Sequence, residues 1–204
     1  MINSAVPHSQ TQQRQTLQPS TESHPAIAGL DRTVVLVGLM GAGKTRVGKR
    51  LAERLRLPFV DSDQQIEKEN GKSISELFAT IGEAAFRDGE RRLIARLLEG
   101  PVSIVASGGG AYVDPETRAV IRAHGLAVWL RADLETLVER TSRTNRRPLL
   151  EGVDRRAKLA ELMERRYPIY AEADLVVDSF TGPVENTVEA VLATLRGLPA
   201  GSPP

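Results

Sequence analysis

The stretch "TVVLVGLMGAGKTRVGKRLA" at residues 33–52 decides the fold of this 204-residue chain, because it changes from a strand pattern to a helix pattern across a glycine-rich loop. "TVVLV" is a continuous apolar run, which is typical of a strand that is covered on both faces. After the loop, Val47, Leu51 and Leu55 recur every four residues, as residues on one face of a helix do. The sequence therefore predicts a strand, a tight loop and a helix in direct succession.

The loop between them, residues 38–45, fits the pattern G-x-x-x-x-G-K-[ST] of a phosphate-binding loop. Glycine permits the dihedral angles that turn backbone N–H groups inward around phosphate oxygens, and the following helix adds the positive end of its dipole. Lys44 supplies a mobile cation for the β- and γ-phosphates, and the Thr45 hydroxyl is a ligand for Mg²⁺. The pattern predicts a bound nucleoside triphosphate, contacted by Gly41, Ala42, Gly43, Lys44 and Thr45.

The composition excludes several classes of protein. The formal net charge is +1, which argues against a nucleic-acid partner. The absence of cysteine excludes disulfides, thiolate metal sites and cysteine nucleophiles, and it fits a reducing cytoplasm. No apolar stretch approaches the roughly 20 residues of a membrane-spanning helix, and the N-terminus lacks the basic-then-apolar pattern of a secretory signal. We therefore expect a cytoplasmic protein without a membrane partner.

We expect one folded domain between two polar tails. Residues 1–30 are rich in Ser, Thr, Gln and Pro and bury too little apolar surface to offset the entropy of ordering, which predicts a disordered N-terminal tail. Residues 198–204 are expected to form a frayed C-terminal tail. The domain then spans residues 31–197.

Within this domain, five short apolar runs alternate with helix patterns. The alternation predicts an α/β fold in which a five-stranded parallel sheet lies between two helical layers, a three-layer α-β-α arrangement. Ser73 lies three residues before Glu76, which is the spacing of a capping box, and Pro168 should end or kink a helix. In such a fold ligands bind beyond the carboxyl ends of the strands, where the phosphate-binding loop also lies.

Two aspartates follow the second predicted strand. Asp61 and Asp63 are two residues apart, and residues at that spacing in extended geometry point to the same side. One carboxylate could hold Mg²⁺ while the other accepts a proton or a hydrogen bond from an alcohol. Alternatively, both are turn residues that cap the next helix.

Three further segments carry charge or glycine. In "GEAAFRDGE", Glu83, Arg87 and Glu90 share one helical face, as in a simple ion-pair ladder. In "SGGG" at residues 107–110, a segment that we call the acceptor loop, bare backbone N–H groups suit the close approach of a small polar ligand. The basic segment within residues 141–153 is either a solvated surface loop or a lid that excludes water from the phosphates.

Taken in order, these segments resemble shikimate kinases. The resemblance rests on "GLMGAGKT", "FVDSD", "GEAAFRDGE", "SGGG", "RRPLL" and "RRYPIY", and it spans residues 33–195. Many nucleotide-binding proteins share the first motif, whereas the ordered set of six is specific. The resemblance implies a P-loop NTPase fold of the nucleoside-monophosphate-kinase type. It also implies transfer of the γ-phosphoryl group of ATP to the 3-hydroxyl of shikimate, in the pathway to chorismate and the aromatic amino acids.

The resemblance further implies roles at the phosphate end of the site. Lys44 and Thr45 correspond to the phosphate and Mg²⁺ positions, and Asp61 corresponds to the aspartate near the metal. Asp63 corresponds to the aspartate that binds the hydroxyls of shikimate and accepts a proton. We expect Mg²⁺ and nearby arginines to keep the pKa of Asp63 low.

Arginines carry most of the remaining implied roles. Arg87 and Arg166 correspond to the residues that bind the carboxylate of shikimate. Arg147 corresponds to a lid arginine that reaches both phosphate and substrate, and Arg140 to a position that stacks on adenine, close to an adenine loop near residues 179–182. The glycines beside the substrate ring correspond to Gly108, Gly109 and Gly110.

Two positions depart from the family pattern, and two other functions stay open. Arg46 stands where a small hydroxyl residue is common, so it either crowds the nucleotide or adds a phosphate contact. Ser107 replaces a more usual threonine or leucine.

A gluconate-type sugar-acid kinase shares the phosphate-binding loop and also needs arginines for a carboxylate. A non-catalytic ATP-binding regulator is the second alternative. The resemblance favours a monomer.

Overall fold

The computed structural model describes residues 30–142 and 152–198 of the chain. Its strands are β1 (Thr33–Val37), β2 (Phe59–Asp61), β3 (Ile104–Ala106), β4 (Gly125–Arg131) and β5 (Leu175–Asp178). They form one sheet in the order β2-β3-β1-β4-β5, and all neighbouring pairs are parallel. The predicted tails, apart from residues 30 and 198, and the centre of the predicted lid lie outside the described residues.

Helices in the described residues lie between these strands and after the last of them. They are α1 (Lys44–Leu55), α2 (Ser62–Asn70), α3 (Ile74–Glu99), α4 (Pro115–His124), α5 (Leu134–Ser142), α6 (Arg155–Tyr170) and α7 (Val184–Arg196). A 3₁₀ turn, Ala111–Val113, follows the acceptor loop. The predicted fold, a five-stranded parallel sheet between helical layers, is confirmed.

Strand β1 lies at the centre of the sheet, and each of its five residues is buried. Val35 pairs with Val105 on one side and with Ala127 on the other. The continuous apolar run thus has the position that its composition predicts, because a central parallel strand is covered on both faces. Strand β1 ends at Val37, so the phosphate-binding loop leaves the sheet at its centre.

Helix α3 begins as the sequence predicts and contains one break. The Ser73 side chain accepts from the backbone N–H of Glu76, and the Glu76 side chain accepts from the backbone N–H of Ser73, so both halves of the capping box are present. Gly82 has φ 78° and ψ 168°, which interrupts the helix between its two predicted halves. The break lies where the sequence separates "SISELFATIG" from the longer helix pattern that follows.

The expectation that Asp61 and Asp63 share an extended segment is wrong. Strand β2 ends at Asp61, which is the N-cap of α2, and its side chain accepts from the backbone N–H of Gln64. Asp63 therefore lies in the first turn of a helix. Aspartate at an N-cap satisfies a helix N–H group that has no partner within the helix, and this local bond ends the strand two residues earlier than alternation implies.

Helix α6 continues for two residues beyond Pro168 and ends at Tyr170. A proline removes one helical N–H bond, but its ring is tolerated here in the last turn of a long helix. The added residues carry Tyr170 into the core, where it is fully buried. Among residues 30–142 and 152–198, no helix is both long and apolar enough to cross a bilayer.

Candidate active site

The phosphate-binding loop is built from left-handed glycines and closes on its own lysine. Gly38, Gly41 and Gly43 have φ values of 136°, 86° and 95°. Residues that carry a Cβ atom rarely adopt such positive φ values. Gly43 caps α1, and the Lys44 Nζ atom donates to the carbonyl oxygens of Gly38 at 2.7 Å and Leu39 at 3.0 Å. The lysine is thus held over the loop, close to where phosphate oxygens would bind.

Oxygen ligands for a divalent cation lie beside this loop. The Thr45 Oγ1 atom donates to Asp61 Oδ2 at 2.7 Å. A hydroxyl and a carboxylate at this separation suit Mg²⁺, which takes few protein ligands and fills its other positions with phosphates and water. No group of three His, Cys, Asp or Glu side chains that could hold a metal occurs in the described part of the chain, which is consistent with such a sparse site.

Two carboxylates point at the bare face of Gly108. A Cβ atom at position 108 would lie 2.5 Å from Asp63 Oδ1 and 2.7 Å from Glu90 Oε1. The Ser62 hydroxyl accepts from the backbone N–H of Gly108 at 3.0 Å, so helix α2 both presents Asp63 and holds the acceptor loop against it. A side chain at position 108 would therefore displace both carboxylates.

Burial works against the low pKa that Mg²⁺ and arginines were expected to give Asp63. Burial raises the pKa of Asp63, and the neighbouring carboxylates Asp61 and Glu67 add to the rise. Lys44 and Arg87 oppose it but do not cancel it. Burial is the largest of these effects, because removing the carboxylate from water disfavours its charged form.

Arg87 is held by a carboxylate from its own helix. Its Nη1 atom donates to Glu90 Oε2 at 2.5 Å, and its Nη2 atom lies 3.6 Å from Glu83 Oε1. The predicted ladder is present, and Glu90 at its inner end is only 1% exposed. Burial raises the pKa of Glu90, and Arg87 opposes that rise. Glu90 thus orients Arg87 from inside the protein.

The structure brings Arg87 and Arg166 to opposite ends of one peptide. The Arg166 Nη1 atom donates to the Gly109 carbonyl at 3.0 Å, and a Cβ atom on Gly110 would lie 2.8 Å from Arg87 Cζ. Both arginines and Gly110 line a single cleft of about 720 Å³. Two guanidinium groups in one cleft can grip an organic anion, because each offers paired charge-assisted hydrogen bonds.

The acceptor loop also abuts the phosphate-binding loop. A Cβ atom on Gly109 would lie 3.7 Å from the Gly38 carbonyl oxygen and 3.7 Å from the Met40 backbone nitrogen. The carboxyl ends of β1 and β3 therefore place a phosphate site and an anion site side by side, as adjacent parallel strands do.

Arg140 ties a distant loop to the phosphate-binding loop. Its Nη1 atom donates to Ser179 Oγ at 2.8 Å and, at longer range, to the Gly41 and Ala42 carbonyls at 3.3 and 3.4 Å. Its Nη2 atom donates to the Phe180 carbonyl. Burial lowers the pKa of Arg140, and the nearby Arg46 contributes to that lowering. This arrangement brings the loop that begins at Ser179 to the edge of the nucleotide site.

Arg46 lies in the first turn of α1 with its side chain exposed. Arg147 lies outside the described residues, as does the centre of the lid.

Comparisons with known proteins agree on one family. The family model described as shikimate kinase matches residues 40–196. The shikimate kinase of Paramagnetospirillum magneticum is 58% identical over 172 residues, which cover 84% of this chain and 88% of that protein. The shikimate kinase of Caulobacter vibrioides is 54% identical over 165 residues, covering 81% and 82%.

The chain belongs to the shikimate kinase family. It is therefore a kinase, and the sequence-based identification of the family is confirmed.

Solved structures agree with this assignment. A shikimate kinase from Acinetobacter baumannii, solved in complex with shikimate, matches with a TM-score of 0.76 and 34% identity, covering 80% of this chain and 92% of that one. A gluconokinase from Sinorhizobium meliloti matches with a TM-score of 0.55 and 20% identity, which shows a shared fold alone. The shikimate kinase interpretation is thus favoured over the sugar-acid kinase alternative.

Three contacts of this shikimate kinase site were not indicated by the sequence motifs. Ser62 and Tyr170 both hold glycines of the acceptor loop, and Glu90 holds Arg87 from the interior. Ser62 and Tyr170 occur inside quoted motifs, yet nothing in their spacing indicates a partner that is 46 or 61 residues away. The spacing of Glu90 indicated an ion pair with Arg87, but nothing in the sequence indicated that Glu90 is buried.

Replacing Gly110 with Ala is expected to raise the KM for shikimate about tenfold, which is the order expected for weakening one charge-assisted hydrogen bond. Gly110 has φ −101° and ψ −16°, so alanine is not strained there, but its methyl group would displace the Arg87 guanidinium. Steady-state kinetics check this result. Gly89→Ala is the control, since a Cβ atom there meets nothing within 4 Å. An unchanged KM in Gly110→Ala would show that Arg87 does not contact the substrate.

Proposed function

We propose that this shikimate kinase family member transfers the γ-phosphoryl group of ATP to the 3-hydroxyl of shikimate, giving shikimate 3-phosphate and ADP. The observation that carries the proposal is the peptide between Gly109 and Gly110. It meets Arg166 at its carbonyl, lies beside Arg87, and rests against the phosphate-binding loop. An anionic acceptor bound there would have its hydroxyl groups close to the triphosphate.

Arg87 and Arg166 bind the carboxylate of shikimate in this proposal. Each planar guanidinium offers parallel N–H donors that match a carboxylate. They come from different helices, α3 and α6, so together they fix orientation as well as charge. Glu90 keeps Arg87 in place from behind, at 2.5 Å.

Asp63 and the acceptor glycines bind the ring hydroxyls. Asp63 Oδ1 faces Gly108, and its carboxylate would accept a hydrogen bond from the attacking hydroxyl and take its proton. The raised pKa of Asp63 makes it a better base than an ordinary aspartate. Gly108, Gly109 and Gly110 allow the substrate ring to approach the backbone closely.

Phosphoryl transfer requires in-line positioning and neutralisation of the spreading negative charge. Lys44 would leave the Gly38 and Leu39 carbonyls for the β- and γ-phosphates. Thr45 and Asp61 would hold Mg²⁺, which neutralises phosphate charge when bound. Arg147 would add a further positive charge when the lid closes.

The nucleotide end of the site uses the loop backbone and two arginines. Gly41, Ala42 and Gly43 would surround the phosphates with backbone N–H groups. Arg140 would stack on adenine, and its bonds to Ser179 and Phe180 support that position. The exposed Arg46 would add a contact to a phosphate.

We also propose a cytoplasmic monomer. The chain contains no cysteine, which suits a reducing compartment. In the described part of the chain, the exposed large apolar residues belong to separate segments, namely Ile81, Val153, Val176 and Phe180. Scattered apolar residues are ordinary on monomer surfaces.

A coupled ADP-release assay tests the proposed reaction. With ATP and Mg²⁺ present, ADP release is expected to depend on shikimate, to stay at background with gluconate, and to stay at background without an acceptor. Turnover with gluconate but not with shikimate would mean that the acceptor is gluconate and that the proposed substrate is wrong. Background rates with every acceptor, together with intact ATP binding, would favour the non-catalytic regulator.

A further inference from the structure

One carbonyl in the acceptor loop accepts two hydrogen bonds. The Gly109 oxygen accepts from Arg166 Nη1 at 3.0 Å and from Tyr170 Oη at 2.5 Å. Both donors come from the last turns of α6, four residues apart, so they lie on one face of the helix. Arg166 lines the cleft, whereas Tyr170 is fully buried behind the loop.

Of these two bonds, only the one from Arg166 is open to competition when an anion binds in the cleft. A carboxylate in the cleft competes for the paired N–H groups of Arg166, and Nη1 is one of them. As Arg166 turns to the carboxylate, the Gly109 oxygen loses that bond. Tyr170 has no access to the cleft, so its bond to Gly109 is the one that stays.

Holding the Gly109 oxygen also holds Gly110. The peptide group is planar, so fixing the carbonyl fixes the direction of the Gly110 N–H on its other side. Beside Gly110 lies Arg87, and against Gly109 lies the start of the phosphate-binding loop at Gly38 and Met40. A rotation of this one peptide would therefore disturb the carboxylate grip and the spacing to the triphosphate together.

Aromatic packing keeps the Tyr170 ring from following the arginine. Its centroid lies 6.5 Å from Tyr112, 6.0 Å from Trp129 and 6.3 Å from Tyr167. Burial raises the pKa of Tyr170, so the hydroxyl keeps its proton and remains a donor at neutral pH.

We propose that Tyr170 is a positioning residue for the acceptor substrate. Its hydroxyl holds the peptide between Gly109 and Gly110 in place while Arg166 turns from the Gly109 carbonyl to the carboxylate of the acceptor. This inference rests on the proposed function, since it requires an anionic acceptor in the cleft.

Tyr170→Phe tests the inference, because it removes one hydroxyl and leaves the ring. Its KM for shikimate is expected to rise about five- to tenfold, the effect of one lost hydrogen bond, while the KM for ATP stays within about twofold. For the neutral carboxamide of shikimate the penalty should disappear, since Arg166 then has no carboxylate to turn to. A donor restored as 4-aminophenylalanine at position 170 should return the KM for shikimate towards the wild-type value, and it serves as the test if the phenylalanine variant does not fold.

Tyr167→Phe is the matched control. Tyr167 lies on the same helix, and its hydroxyl donates to the carbonyl of Ala132 rather than to the acceptor loop. We expect this control to lower the Tm by about as much as Tyr170→Phe does. Its KM for shikimate and its KM for ATP should both stay unchanged. Equal KM values for shikimate in wild type and Tyr170→Phe, or the same rise in Tyr167→Phe, would overturn the role of Tyr170. If the wild type itself shows no shikimate-dependent turnover, the proposed function fails first and the inference fails with it.

Discussion

Replacing Asp63 with Asn is expected to lower kcat with shikimate by about 10²- to 10⁴-fold, the usual contribution of a positioned proton acceptor. Asparagine keeps the shape of the side chain beside Gly108 but cannot take a proton. The KM for ATP should change little, because Asp63 lies on the acceptor side of the site. The same variant is expected to have a higher Tm than wild type at pH 7.

The gain in stability follows from the direction of the pKa shift. The pKa of Asp63 in the folded protein lies above its ordinary value of 3.8, with burial as the main cause. The folded state therefore keeps the proton to higher pH than the unfolded state, and the charged side chain costs stability as the pH rises through the folded-state pKa. Asparagine removes that cost. The gain should be largest above the folded-state pKa, shrink as the pH falls through that pKa, and vanish below the unfolded-state pKa.

Three measurements check the role of Asp63. Single-turnover kinetics measure the chemical step, thermal unfolding from pH 4 to 8 measures the gain in stability, and the pH profile of kcat/KM in wild type reports the base in the free enzyme. The acidic limb of that profile should lie above 3.8. Glu69→Gln is the control on the same helix: its carboxylate pairs with Arg96, hydrogen bonds lower its pKa, and its loss should not change turnover. A kcat for Asp63→Asn within tenfold of wild type would rule out Asp63 as the base.

The sequence predicted the phosphate-binding loop because everything that defines the loop is local. Residues 38–45 form a single turn between a strand and a helix, and their glycines carry the left-handed dihedral angles that the pattern demands. The same is true of the capping box, where Ser73 and Glu76 are partners across three residues. The apolar runs likewise indicated the strands, since burial on both faces leaves no polar alternation to read.

Asp61 and Asp63 show where a local pattern points two ways. Their spacing fits a strand end, and an aspartate before a helix also fits an N-cap. In the structure the backbone N–H of Gln64 donates to Asp61, so Asp61 is the N-cap of the helix. Asp63 therefore faces the acceptor loop from the first turn of a helix rather than from a strand. Asp61 still lies beside the phosphate-binding loop and Asp63 beside the acceptor loop, but the extended geometry behind the prediction is absent.

Burial and long-range bonds could not be predicted from the pattern. Glu90 has the spacing of a surface ion pair, and only the packing of α3 against the acceptor loop makes it an interior residue. Burial is also the main reason why the pKa of Asp63 rises although Lys44 and Arg87 lie nearby. Tyr170 reaches Gly109 across 61 residues, and no periodicity within α6 indicates such a partner.

Replacing Lys44 with Ala is expected to lower kcat by about 10²- to 10³-fold with any acceptor, the usual cost of removing one preorganised charge from a developing anion. Helix α1 should still form, because its N-cap is Gly43 and its buried face is apolar. ATP should still bind, since the backbone N–H groups of the loop and the helix dipole remain. The loss should therefore appear in the chemical step more than in nucleotide affinity.

Single-turnover kinetics and direct ADP and ATP titrations separate these two effects. Lys49→Ala is the matched control, an exposed lysine on the same helix whose Nζ atom lies 6.0 Å from the centre of the Phe59 ring, and it should keep wild-type kcat. Lys44→Arg keeps the charge on a bulkier group and should recover only part of the rate, because the loop closes on a single Nζ atom at 2.7 and 3.0 Å from two carbonyls. A kcat for Lys44→Ala within tenfold of wild type would mean that the lysine holds the loop closed without stabilising the transferred phosphoryl group, and the charge would then have to come from Mg²⁺ and the lid.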